Sequence, residues 1–232
     1  YLAANGDPTF SVAHPELDFE MTALTLMNFL SYVKVKKLVY VSSACIYPEG
    51  CEQPMKEACL MQGKFEQANF GYALAKSLGT YLCQAYNQQY GTHFIACMPP
   101  NIYGPYCNCD LVTANVAAVL LVKMERARAQ GDKTVEVWGT GNARREMLYS
   151  QDCADAMIFL MEHYESTEPV NIGVGYDMSI REMAEAIKRV VDYQGTLIFN
   201  AQKPEGIFCK LFDVSRLSEL GWRAQYSFEE GM

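Results

Sequence analysis

No Gly-x-x-Gly-x-x-Gly set between a strand and a helix occurs anywhere in the 232 residues. A dinucleotide pyrophosphate rests on such a loop at a helix N-terminus, so no part of this sequence reads as that cradle. The pair Gly173-Val174-Gly175 lacks the third glycine, because Met178 stands there, and reads as a turn before a helix. No apolar run approaches the length of a membrane span. Basic runs do not exceed Lys36-Lys37 or Arg144-Arg145, and 19 basic against 27 acidic residues leave a net charge of −8. Nucleic acid and anionic membranes are therefore poor partners. Metal-ligand spacing is missing too, and no metal is expected. Nine cysteines are scattered. The close pair Cys107-Asn108-Cys109 suits neither a redox Cys-x-x-Cys nor a zinc knuckle. An odd cysteine count with no secretory leader predicts reduced thiols and a cytoplasmic protein.

Half of the residues are hydrophobic, enough for a sizeable core. Strand-like runs alternate with helical ones, which argues for a doubly wound parallel α/β sheet. Tyr1 to Ala4 reads as a strand end followed by an Asn5-Gly6-Asp7-Pro8 turn. A helix is predicted over Asp18–Val33, with Phe19, Leu24, Met27, Leu30 and Val33 inward. Lys37–Ser43 follows as a buried strand, then a loop from Pro48 to Asn69, a helix over Phe70–Tyr90 and a strand over Phe94–Met98. Beyond Pro105 the expectations are a helix over Val112–Arg128 and a strand over Val135–Trp138. A helix over Gln151–His163, with Ala154, Met157, Ile158 and Met161 inward, leads to a strand ending in Asn171–Gly175. Ser179 and Glu182 make a capping box for the next helix.

Tyr72 and Lys76 fall one turn apart on the Phe70–Tyr90 helix. An ammonium there favours the phenolate, so the tyrosine is expected to ionise more readily than in water. Ser42-Ser43 leaves the preceding strand near that helix start, which completes a proton-transfer set for a carbonyl/alcohol pair. On its own, Tyr-x-x-x-Lys also fits an amphipathic solvent edge. Its neighbours add Val41-Ser42-Ser43-Ala44-Cys45-Ile46-Tyr47-Pro48 before it and Met98-Pro99-Pro100-Asn101-Ile102-Tyr103-Gly104-Pro105 after it. Val137-Trp138-Gly139-Thr140-Gly141, Arg144-Arg145-Glu146, and Lys203-Pro204-Glu205-Gly206 leading to Lys210-Leu211-Phe212-Asp213 extend the set. In this order the motifs resemble the extended short-chain dehydrogenase/reductase family over nearly the whole length.

That resemblance implies a Rossmann-like sheet lacking its N-terminal strands, plus a smaller C-terminal substrate-binding α/β lobe. Residues 1–110 would be the C-terminal half of a dinucleotide-binding domain, and 111–232 mainly a nucleotide-sugar domain, with 145–165 packing back on the first. The chain opens in mid-pattern, so a cofactor-binding segment of about two βα units is expected before it. The implied enzyme is a nucleotide-sugar epimerase/reductase that reduces the C4 ketone of a GDP-4-keto-6-deoxy-hexose with NADP, NAD not excluded, in a homodimer. The alternatives are a 4-reductase alone, another nucleotide-sugar epimerase or dehydratase, and a non-catalytic nucleotide-sugar-binding fragment. Ser43, Tyr72 and Lys76 would be catalytic, with Cys45 at the position of a base for the carbons flanking the ketone. Ala3, Ala4, Ser42, Pro99, Asn101 and Ile102, together with Tyr72 and Lys76, would meet the cofactor. Asn101, Asn115, Lys123, Trp138, Arg145 and Lys210 would meet the substrate. Asn115 stands where the family's pattern has a histidine, and asparagine cannot shuttle a proton near neutral pH. Lys123 stands in place of an arginine. Trp138 would pack on sugar or base, or belong to a strand's core.

Overall fold

The structure, a computed structural model, describes residues 1–4 and 8–232. The predicted turn at Asn5–Asp7 lies outside them. Three short helices follow: α1 (Pro8–Ala13), α2 (Pro15–Phe19) and α3 (Thr25–Tyr32), with a π-helical turn over Glu20–Leu24 between the last two. The helix predicted over Asp18–Val33 is present as the unbroken helical run Pro15–Tyr32, with the π turn set inside it. Pro15 opens α2 with the φ that a first helical turn needs. The π turn then rotates the register. Asp18, Thr22, Ala23, Leu26 and Leu30 face inward, while Leu24, Met27 and Val33 are exposed, contrary to the predicted face.

β1 (Lys37–Val41), α4 (Phe70–Tyr90) and β2 (His93–Met98) form the unit that carries the site. Nearly unbroken apolar strands fit a parallel sheet covered on both faces. Accordingly β1 and β2 pair in parallel, Val39 opposite Ile95. Leu38, Tyr40, Phe94 and Ala96 meet Leu26, Leu30 and Cys83 on one face. The alternate residues Val39, Val41, Ile95 and Cys97 meet the opposite layer. Tyr1 flanks β1 in a parallel manner: its amino group donates to the Val39 carbonyl at 2.6 Å and its carbonyl accepts from Val41 N at 3.2 Å.

β3 (Asn101–Tyr103), α5 (Val116–Gln130), β4 (Thr134–Trp138), β5 (Arg144–Arg145) and β6 (Met147–Tyr149) come next. α5 starts four residues later than predicted because the Asn115 amide oxygen caps it, accepting from Ala118 N at 3.1 Å. α6 (Ser150–His163) turns Cys153, Ala156 and Leu160 onto the first sheet. The predicted face is wrong here: Ile158 and Met161 are exposed. Buried Asp152, accepting from Gln225 N and Tyr226 N at 3.0 and 3.1 Å, holds the helix in this rotation.

β7 (Val170–Asn171) extends the parallel sheet to the order β1-β2-β7. It is shorter than predicted, since Val174 N and Gly175 N turn away to donate to the buried Glu146 carboxylate at 2.7 and 2.9 Å. β8 (Met178–Ser179), α7 (Ile180–Val190), β9 (Thr196–Asn200), β10 (Cys209–Lys210) and α8 (Ser215–Glu219) complete the chain. The Ser179/Glu182 capping box is present. A second core lies where Leu120 and Met124 of α5, Met183 and Ile187 of α7, and Val135 and Val137 of β4 meet. The Pro48–Asn69 segment is held by Met55, whose N–H donates to Leu211 O at 2.8 Å and whose side chain packs with Ile46, Tyr47, Met98 and Phe212.

α4 approaches β1 unusually closely at Gly79, where an added Cβ would stand 2.3 Å from the Tyr40 ring and hydroxyl. Alanine improves helix propensity by about 1 kcal/mol, but the clash with a fully packed ring outweighs that gain. Gly79→Ala is expected to lower stability by about 1–3 kcal/mol in thermal or denaturant unfolding. An unchanged or raised Tm would show that α4 and Tyr40 are not in this tight contact.

Candidate active site

The C-terminal end of β1 and the first two turns of α4 bring Ser42, Ser43, Cys45, Tyr72 and Lys76 together. Lys76 is only 4% exposed, and its Nζ donates to the Val41 carbonyl at 2.8 Å. Ser42 is committed to the helix: it accepts from Thr80 Oγ1 at 2.8 Å and donates to Lys76 O at 3.4 Å. Ser43 Oγ accepts from Cys45 N at 3.2 Å, and Ser43 lies near enough to the Tyr72 phenol to favour its ionised form.

The electrostatics differ from the expectation. Burial pushes the Tyr72 phenol up to about 12, and Cys45 adds to the rise, while Ser43 pulls the other way. Lys76 does not lower it. Its Nζ sits 5.8 Å from the Tyr72 ring centroid, and burial brings the ammonium itself down to about 8. Desolvation is the largest influence on both groups.

Two cavities are lined by successive parts of the 204–210 segment. One of about 260 Å³ is lined by Cys45, Tyr47, Glu66, Cys209 and Lys210. Lys210 pairs there with Glu66 at 3.2 Å. The other, of about 500 Å³, is lined by Leu111, Val112, Lys123, Trp138, Arg145 and Gly206. Trp138 is 54% exposed, with the ammonium groups of Lys203 and Lys123 at 5.4 and 5.7 Å from its ring. Arg145 donates to Ile207 O at 2.6 Å, which holds the 204–207 segment over the cavity, and β5–β10 pairing sets Arg145 beside Lys210.

Ala3 is exposed and Ala4 half-buried just past the Tyr1 pairing with β1. Pro99 is buried, and Asn101 and Ile102 are exposed at the start of β3. Asn115 is committed on both sides: besides capping α5, its Nδ2 donates to Ile102 O at 2.9 Å. Sequence reasoning passed over Glu66 and Glu205. Glu66 lies in a stretch without periodicity. Glu205 binds Thr140 Oγ1 at 2.5 Å and the Asn142 and Ala143 amides, closing the Gly139–Gly141 turn. The signal for Glu205 was its place in the Lys203–Gly206 motif.

A match to the NAD dependent epimerase/dehydratase family covers residues 1–173. The chain belongs to this family. It is 43% identical over 198 residues to a GDP-L-fucose synthase of Sinorhizobium fredii, which covers 85% of the chain and 63% of that protein. A GDP-L-fucose synthase of Escherichia coli is 43% identical over 207 residues, 85% of the chain and 64% of that protein. The chain thus spans less than two thirds of these relatives. Among solved structures, a GDP-6-OMe-4-keto-L-xylo-heptose reductase from C. jejuni superposes with a TM-score of 0.88 at 30% identity, covering 99% of this chain and 78% of that one. A GDP-L-fucose synthetase from Naegleria fowleri bound to NADP superposes with a TM-score of 0.89 at 28% identity, covering 99% and 72%.

A lysine whose folded pKa is about 8 against an ordinary 10.5 penalises the fold while it is charged. Between those values the unfolded chain holds a proton that the folded chain has released, so this group's contribution to stability rises with pH across the window. Denaturant melts of the chain and of Lys76→Met are expected to show their stability difference shifting towards the wild type from about pH 8 to 10.5. A pH-independent difference would show that Lys76 titrates as an ordinary lysine.

Proposed function

We propose that this chain supplies the proton-transfer set and the nucleotide-sugar site of an NADP-dependent reductase acting on the C4 ketone of a GDP-4-keto-6-deoxy-hexose. The observation that carries the reading is Tyr72, with Ser43 near its phenol, beside a buried Lys76 at the sheet end, next to the cavity that Cys45 lines. In this reading residues 1–110 belong to the dinucleotide-binding side and 111–232 mainly to the sugar-nucleotide side, with 145–165 on the first.

The residues fit the cofactor. The Val41 carbonyl takes one donor of the Lys76 ammonium and leaves the others for ribose hydroxyls. Asn101 and Ile102 are exposed just past the end of β2, the strand paired with β1, and Ala3 and Ala4 follow the Tyr1 pairing with β1. NADPH, when bound, supplies the hydride that reaches C4. Tyr72 gives its proton to the C4 oxygen, and a phenol held near 12 keeps that proton throughout the neutral range. Ser43 holds the same oxygen by a hydrogen bond. Arg145 and Lys210, adjacent on paired strands, meet the diphosphate, while Lys123 and Trp138 meet the rest of the nucleotide. The names of the reported relatives, each of which contains a GDP-linked sugar, support the choice of nucleotide. Tyr72→Phe, in a polypeptide carrying this chain together with a cofactor-binding segment, is expected to lower kcat at least about a hundredfold with KM little changed. Unchanged turnover sinks the proposal.

One observation favours reduction without epimerisation. Asn115, at the position of the expected histidine, has both ends of its amide engaged, so Cys45 has no proton-shuttling partner there. In deuterated water the product is expected to carry no solvent deuterium at C3 or C5. Incorporation at either carbon would restore the epimerase.

A homodimer fits the surface. Phe70, Leu74 and Leu78 form an exposed apolar stripe on α4, and Leu17 and Met21 are exposed on the helical layer packed against it. A second copy related by a two-fold axis would cover the stripe. Sedimentation is expected to give a dimer, and Leu74→Arg a folded monomer. A monomeric wild type contradicts the proposal. No described helix is long and apolar enough to cross a membrane. All nine cysteines are free thiols, which supports a cytoplasmic setting.

A further inference from the structure

Cys107 and Cys109 take no part in the chemistry above. Their spacing is not that of a redox Cys-x-x-Cys, yet the fold brings the two sulfurs to 3.9 Å. A disulfide bond is about 2.05 Å long, so closure needs an approach of about 1.9 Å inside one short loop. The loop is already shaped around the pair. Asn108 Nδ2 donates to Thr113 Oγ1 at 2.8 Å, and Asn108 Oδ1 accepts from Asp110 N at 3.0 Å. Asp110 Oδ1 accepts from Val112 N and Thr113 N, both at 2.9 Å. Tyr106, just before the pair, has a φ of 63°, a left-handed conformation that costs a non-glycine residue energy. Both sulfurs lie at the surface side of the fold, whereas Cys83, Cys97 and Cys153 are buried. Among the described residues no group of three or more histidine, cysteine or acidic side chains is placed to hold a metal, so the pair has no third ligand.

We propose that Cys107 and Cys109 form a redox-active dithiol that closes to a disulfide within the loop by exchange with a small disulfide such as oxidised glutathione. Cys109 is the exposed member, and its thiolate attacks one sulfur of the glutathione disulfide, forming a mixed disulfide and releasing one glutathione thiolate. The Cys107 thiolate then attacks the Cys109 sulfur, releasing the second. The protein loses two electrons and two protons, and the glutathione disulfide takes up both electrons as two thiols. Burial and the neighbouring Cys109 thiol raise the Cys107 pKa, so its thiolate is the scarcer nucleophile and the second step is the slower one. The same segment lends Leu111, Val112 and Ala114 to the wall of the Trp138 cavity.

The test uses the intact 232-residue chain in glutathione mixtures graded from fully reduced to fully oxidised, quenched with acid and alkylator and read by peptide mass mapping. The peptide holding Cys107 and Cys109 is expected to pass from doubly alkylated to an unalkylated form two hydrogens lighter than the free dithiol, and to return when reductant is added. Cys107→Ser should stop at a glutathione adduct on Cys109, with circular dichroism unchanged. Two alkylated thiols at every mixture, or a wild type that halts at the Cys109 adduct with Cys107 free, would overturn the proposal.

Discussion

The contact between β1 and α4 is the constraint on which the rest depends. At Gly79 the helix lies against the Tyr40 ring with no room for a side chain. One turn earlier the Lys76 ammonium reaches back to the Val41 carbonyl. Burying a cation is costly unless it is hydrogen-bonded, and the strand's last carbonyl is what makes this burial tolerable. Because strand and helix are locked at this depth, Ser43 and Tyr72 meet at the strand's end, and the helix cannot rotate without giving up the lysine's partner.

The price of that closeness is visible in the proton affinities. Burial holds the proton on Tyr72 and weakens it on Lys76. In the proposed reading this suits a proton donor, since a phenol that keeps its proton at neutral pH has one to give when negative charge develops nearby. The expected help from the lysine is a Coulomb effect that falls with distance, whereas desolvation acts on each group alone. At the observed separation the second effect dominates.

The C-terminal lobe is tied to the first sheet by buried acids used as acceptors. Glu146 takes the Val174 and Gly175 amides with one oxygen and the Phe212 amide with the other. Asp152 takes two amides of the 225–226 segment. These carboxylates satisfy backbone donors in segments without a regular ladder, which lets short loops carry Arg145, Lys210 and the 204–207 segment into the two cavities.

The long α4, the two central strands, the Ser179 capping box and the residues of the Ser/Tyr/Lys set were legible in the sequence, because each follows from local periodicity or from a motif of fixed spacing. The inward faces of the amino-terminal helices and of α6 were not. A π turn reset the first, and Asp152 accepting amides from more than seventy positions away fixed the second, and neither leaves a periodic trace. The same holds for Asn115, which looks like a replaced catalytic group and is spent on a cap, and for two cysteines whose sulfurs only a folded loop brings near. Sequence alone decided which chemical groups the chain carries and which of them share a helix turn. Tertiary structure decided which are dry, which are paired and which face a cavity, because desolvation and partner geometry depend on residues far apart along the chain.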